Sequence, residues 1–229
     1  MSAHSSPGRP SRRALLIGAS GLAGRQVLST LLDDPAHGQV HAWVRRPLAR
    51  AHDKLSQQVV DFERLDRVAV PEVDAVFCCL GTTLRAAGSR AAFRRVDHDH
   101  VLACARAARA AGAGHFLLVS AIGADARSRV FYSRVKGETE QALRALDFPV
   151  LLIARPSLLS GDRDSLGQAD RPLERLGLWL TRPVARLLPT RVRPIPATVV
   201  ARALLRALPA SPPGVRVIDS AELHKLGAP

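Results

Sequence analysis

The chain has 229 residues, enough for one domain with a full core, and a formal charge of +13 from 33 basic and 20 acidic residues. Three cysteines, two of them adjacent at Cys78 and Cys79, exclude a disulfide framework and point to a reducing compartment. No run approaches the ~20 apolar residues of a membrane span.

The basic residues are scattered, aromatic residues make up only 4% of the chain, and no helix-turn-helix, zinc or RNA-binding signature is present. The charge therefore reads as a solvated surface, and no specific nucleic-acid partner is expected. Residues Met1 to Arg13 are rich in Ser, Pro, Gly and Arg and have no apolar stretch of signal-peptide length. They are expected to form a flexible basic tail ahead of a single domain over 14–229, in a cytoplasmic protein.

The run Ala14-Leu15-Leu16-Ile17 predicts a short buried strand over 13–18. It leads into Gly18-Ala19-Ser20-Gly21-Leu22-Ala23-Gly24 and then the helical stretch from Arg25 to Leu32. A strand, a glycine turn and a helix in that order make a phosphate cradle. Glycine opens φ angles closed to other residues, lets backbone approach a pyrophosphate, and lets helix and strand touch, while the free amides at the helix start face the anion. The spacing is G-x-x-G-x-x-G, a variant of the G-x-G-x-x-G dinucleotide fingerprint.

Further strands are predicted at 39–44, 57–61, 74–79, 114–120, 149–154 and 214–218, with helices between them. This alternation predicts an α/β fold, a Rossmann-like doubly wound parallel sheet with helices on both faces. The second strand runs into Arg45-Arg46-Pro47, where a dinucleotide fold meets the adenosine ribose. An acidic residue there would hold the 2′-hydroxyl; two arginines favour a 2′-phosphate, and hence NADP(H) over NAD(H). At the end of the third strand, Asp61 can accept a bond from the adenine amino group with Phe62 flanking the ring, or serve only as a turn residue. The fourth strand ends in Leu80-Gly81-Thr82, where glycine lets the backbone lie beside the cofactor ribose.

The longest helix is predicted from Ser89 to Ala111, with Val96 and Leu102 on its apolar side. Asp97-His98-Asp99-His100 is not read as a metal site, because on a helix its two histidines point in divergent directions. Cys78 and Cys79 are strand residues facing opposite layers, neither a disulfide nor a nucleophile. Tyr132, the only tyrosine, stands four residues before Lys136, so a helix puts both on one face, where an ammonium can make a phenol more acidic. After Pro156 the texture changes to short, proline-punctuated pieces such as Leu173 to Leu188. A small C-terminal substrate-covering region is expected there, within 156–229.

Together, Gly18 to Gly24, Arg45-Arg46, Val60-Asp-Phe-Glu-Arg-Leu-Asp66, Phe77-Cys-Cys-Leu-Gly-Thr-Thr83, Arg95-Val-Asp97, Tyr132-x-x-x-Lys136-Gly-Glu138 and Arg155-Pro156 resemble the short-chain dehydrogenase/reductase superfamily. Within it, they resemble the atypical branch of Tat-interacting-protein oxidoreductase-like proteins. The resemblance implies an NADPH site with Ser20, Gly21, Leu22 and Ala23 at the pyrophosphate, Arg45 and Arg46 at the 2′-phosphate, and Leu80 and Gly81 along the ribose. It implies Tyr132 as proton donor, with Lys136 bonding the nicotinamide ribose and lowering the phenol pKa. Pro156, Leu159 and Arg171 match positions that close over the cofactor. Ser120, twelve residues before Tyr132, stands in the place of the serine of the usual triad, either facing substrate or turned to a phosphate or the sheet.

Two functions remain open at this level. One is an NADPH-dependent reductase of a small carbonyl or sugar-like substrate. The other is a non-catalytic module that senses NADP(H) and contacts a protein partner. The sequence names neither the substrate, the partner nor the oligomeric state.

Overall fold

The computed structural model describes residues 11–161 and 189–229. Strand β1 (Arg12–Ile17) opens two residues inside the expected tail, because the Arg13 amide is held by Asp74 at 2.7 Å and its guanidinium pairs with Glu72. Helix α1 (Leu22–Asp33), β2 (His37–Val44) and β3 (Leu55–Val59) follow, then β4 (Ala75–Cys78), α2 (Leu84–Ala87) and α3 (Arg90–Arg94). A π-helical turn (Arg95–Asp99) joins α3 to α4 (His100–Ala110), and β5 (His115–Val119), α5 (Phe131–Arg144) and β6 (Val150–Arg155) come next. The described C-terminal part holds the short pair β7 (Leu159–Ser160) and β8 (Ile195–Pro196), then α6 (Ala197–Ala207), β9 (Gly214–Asp219) and α7 (Ser220–Leu226).

The main sheet has seven strands in the order β3-β2-β1-β4-β5-β6-β9, every pair parallel. The order reverses between β1 and β4, and in open α/β sheets the crevice beyond the carboxyl ends of the strands at such a switch point receives the ligand. Both faces are covered. Successive residues of a strand point to opposite layers, so Leu16, Phe77, Leu117 and Leu152 pack with Val27, Leu31, Val200 and Leu204 on the side of α1 and α6. Leu15, Ile17, Val76 and Phe116 pack with Val101, Cys104 and Leu143 on the side of α4 and α5. Each buried Leu or Ile contributes on the order of 1.5–3 kcal/mol of transfer free energy.

The predicted strands correspond to β1–β6 and β9, with ends displaced by up to two residues. The continuous helix expected from Ser89 to Ala111 is the main difference: its middle is the π turn, where Thr139 of α5 shares its hydroxyl between the Asp97 and Val135 carbonyls at 2.9 and 2.8 Å. Residues 197–226 belong to the body, β9 being the seventh strand of the sheet. Arg171 and the stretch from Leu173 to Leu188 lie outside the described residues.

Candidate functional site

The glycine turn after β1 is built by steric exclusion. Gly18 has φ +85°, and a Cβ there would lie 2.6 Å from the Cys79 carbonyl oxygen at the end of β4. A Cβ on Gly24 would lie 2.0 Å from the Gly18 carbonyl oxygen, so only glycine lets the first turn of α1 rest on the end of β1. The Gly21 amide donates to the Gly18 carbonyl at 3.0 Å, and Gly21 ends the turn as the helix N-cap, with no side-chain cap on the amides that follow. Ser20, Leu22 and Ala23 therefore surround a bare helix start, whose partial positive charge suits a phosphate.

Beside this turn, a groove of 640 Å³ runs between α1 and the segment after β2, with Ser20, Gln26, Arg45, Arg46 and Arg50 among its walls. Among the described residues no carboxylate lines it. Arg45 and Arg46 are exposed and form no ion pair among the described residues. The glycine cradle, bare helix start and uncompensated guanidiniums fit a phosphorylated dinucleotide.

Asp61 and Phe62 follow the edge strand β3 and do not line this groove. An Asp61 carboxylate oxygen accepts from the Glu63 amide at 3.0 Å, and its other oxygen lies 4.0 Å from Arg64. Phe62 is buried in the α4-side core, its ring 5.8 Å from that of His100.

Beyond β4, Gly81 lies over a buried ion pair: a Cβ there would be 3.3 Å from Asp97 Oδ1 and 3.6 Å from Lys136 Nζ. The Asp97 carboxylate accepts the Thr82 amide at 2.8 Å through Oδ2, and Oδ1 is 2.7 Å from Lys136 Nζ. Leu80, Gly81 and Thr82 are thus fixed to α5 through Asp97. Burial pushes the Lys136 pKa down, but the charges of Asp97 and then Tyr132 outweigh it, so the net shift is upward. Burial also lifts Asp97 above the ordinary carboxylate range, against the pull of Lys136. Sequence reasoning gave Asp97 no role; its signal was the Arg95-Val-Asp97 motif, and the π turn aims the side chain inward. Insertions of this kind recur at functional sites.

Tyr132 occupies the first turn of α5, half-buried, its ring 5.5 Å from that of the buried Phe93. A Cβ on Gly137 would lie 2.1 Å from the Ala126 amide nitrogen, so the glycine after Lys136 lets the loop before α5 cross the helix. Ser120 is buried, and its hydroxyl donates to Glu140 Oε1 at 2.5 Å. Glu140, only 2% exposed, also accepts from Arg155 Nη2 at 2.6 Å and from its Nε at 3.1 and 3.2 Å. Ser120 thus serves a carboxylate between α5 and β6. Pro156 follows Arg155 directly, and Leu159 begins β7, half-buried against the α1-side core.

Burial pushes the Cys78 thiol up to about 11 and moves Cys79 and Cys104 upward too, so none is poised as a thiolate nucleophile. His98 pairs with Asp99 and His100 with Glu63. Among the described residues no three His, Cys, Asp or Glu side chains gather to hold a metal ion.

Comparison with known proteins agrees with this geometry. A family model described as NAD(P)H-binding matches residues 18–175. The rat protein HTATIP2 is 39% identical over 205 residues, covering 86% of this chain and 81% of the rat protein. FMP52-1 of Scheffersomyces stipitis is 35% identical over 66% of this chain and 69% of its own length. Among solved structures, MoeE5 in complex with UDP-glucuronic acid and NAD superposes with a TM-score of 0.68 at 18% identity, over 90% of this chain and 75% of MoeE5. A putative epimerase from Burkholderia cenocepacia superposes with a TM-score of 0.67 at 21% identity, over 93% of this chain and 76% of its own. These two show the shared fold.

One expectation is overturned. FMP52 relatives 34–36% identical to this chain are named as mitochondrial proteins, which points away from the cytoplasm. Among the described residues no helix is long and apolar enough to cross a membrane, and that assigns no compartment. On the strength of the family match and of HTATIP2 across most of both chains, this chain belongs to the NAD(P)H-binding family, as a relative of HTATIP2.

Proposed function

We propose that the chain is an NADP(H)-dependent oxidoreductase that reduces a small carbonyl or sugar-like compound, with Tyr132 as the proton donor. The observation that carries this reading is the buried Asp97–Lys136 pair under Gly81, one helical turn from the only tyrosine. An ammonium kept charged by Asp97 still has donors to spare, which could hold a ribose hydroxyl and face the phenol of Tyr132. Bound at the glycine turn, NADPH would supply the hydride. Tyr132 would give its proton to the carbonyl oxygen as charge develops there, and Lys136 would stabilise the phenolate left behind. The arginines of the groove support NADP(H) over NAD(H), since guanidinium forks match a phosphate and no carboxylate among the described residues lines the groove to take a 2′-hydroxyl. Ser20 to Ala23 would carry the pyrophosphate, with Leu80 to Thr82, Pro156 and Leu159 around the nicotinamide half.

A second reading, a non-catalytic NADP(H)-sensing module for a protein partner, draws on the Ser120–Glu140 bond, which turns away the hydroxyl that would polarise a carbonyl. Purified protein separates the two. NADPH oxidation against a broad panel of carbonyl compounds is expected with the native chain and lost in Tyr132→Phe, with NADPH affinity unchanged. Tight NADPH binding without oxidation by any compound would favour the sensor.

A further inference from the structure

The segment between β2 and β3 carries a third arginine, Arg50, on the same groove as Arg45 and Arg46. All three are exposed, and none has an acidic partner among the described residues. Like charges gathered on one wall repel each other. A separate device fixes where this wall stands. Gln57, in β3, accepts the Leu48 amide at 2.8 Å through its side-chain oxygen and donates from its side-chain nitrogen to the Leu48 and Arg50 carbonyls at 3.3 and 2.9 Å. One amide side chain thus ties down the backbone on both sides of Ala49, while the Leu48 side chain packs against the α1-side core. A loop held at two points meets its ligand with little ordering left to do, and that raises affinity without a new contact.

We propose that Arg50 is a third guanidinium of the 2′-phosphate clamp and that Gln57 is the positioning residue that aims it. The inference rests on the NADP(H) reading above and deepens it. Arg50 would touch the phosphate; Gln57 acts only through the loop.

Calorimetry on the full chain tests it with two probes, adenosine 2′,5′-bisphosphate and 5′-AMP, which differ only in the 2′-phosphate. Arg50→Ala and Gln57→Met are each expected to weaken the bisphosphate about tenfold, the size of one charge-assisted bond, and to leave 5′-AMP unchanged. Because the two residues act as one unit, the double variant should bind no worse than Arg50→Ala alone. Bisphosphate affinity unmoved by Arg50→Ala, while Arg45→Ala still lowers it, would overturn the role of Arg50 and leave the NADP(H) reading standing. Equal weakening of both probes by Gln57→Met would mean the groove itself had collapsed, and would overturn the positioning role. A native chain that binds both probes equally overturns the NADP(H) reading, and this inference with it.

Discussion

Lys136 Nζ lies 2.7 Å from Asp97 Oδ1, and both side chains are buried, at 7% and 0% exposure. A buried pair of this kind stabilises little compared with well-packed neutral residues, but breaking it leaves a charge stranded in a poor solvent. Lys136→Met is therefore expected to cost about 3–5 kcal/mol, the range for a broken buried pair. Lys136→Met combined with Asp97→Asn should recover most of that, because Asn can still accept the Thr82 amide. Urea unfolding of the two single variants and the double gives the coupling directly.

The same pair sets the alkaline behaviour. The Lys136 pKa is shifted up from 10.5 although burial, the largest single influence, acts to lower it, because the charges of Asp97 and Tyr132 and the hydrogen bond to Asp97 together exceed burial. A raised folded-state pKa means stability that is fully present below 10.5 and lost as pH rises through the folded value. In Asp97→Asn the main opposing charge is gone and burial should depress the pKa. The sign then inverts, and this variant should gain stability as pH rises toward 10.5. Urea midpoints followed by the fluorescence of buried Trp43 across the alkaline range would read the slope; parallel slopes for the two proteins would contradict it.

Two glycines of the turn should respond unequally. Gly24→Ala would put a Cβ 2.0 Å from the Gly18 carbonyl oxygen, a backbone atom that cannot step aside. A loss of at least about 1–3 kcal/mol is expected, as for other overpacked contacts, and with it weaker NADPH binding. In Gly21→Ala the nearest atom is 3.4 Å away at an ordinary φ of −75°, so the change should stay under about 1 kcal/mol, the usual cost at an N-cap. Thermal unfolding with and without NADPH would rank them.

These contrasts mark what the sequence could carry. The glycine turn, the strand periodicity and the Tyr132–Lys136 spacing are local, and the fold honours them within a residue or two. Asp97 was hidden because its inward aim depends on a π turn held by Thr139, forty-two residues away, and an ideal helix drawn through Ser89 to Ala111 gives it no special direction. Gln57 reads as a polar residue of an edge strand until the loop folds back onto it. The direction of the Ser120 hydroxyl is set by Glu140, from the next helix, which no spacing rule connects to it.

Ser120→Ala tests that last relationship. If the hydroxyl mainly serves Glu140, its removal takes a donor from a carboxylate that is 2% exposed, a loss of about 1–3 kcal/mol for a buried acceptor left short. Arg155 keeps two of its nitrogens on Glu140, which should hold the loss near the lower end. NADPH affinity, and NADPH oxidation wherever the panel reveals it, should be unchanged. If instead the serine polarises substrate, the variant would keep its unfolding midpoint and lose turnover. A urea titration and an oxidation assay on the same preparation separate the outcomes, because one role moves only the first measurement and the other only the second.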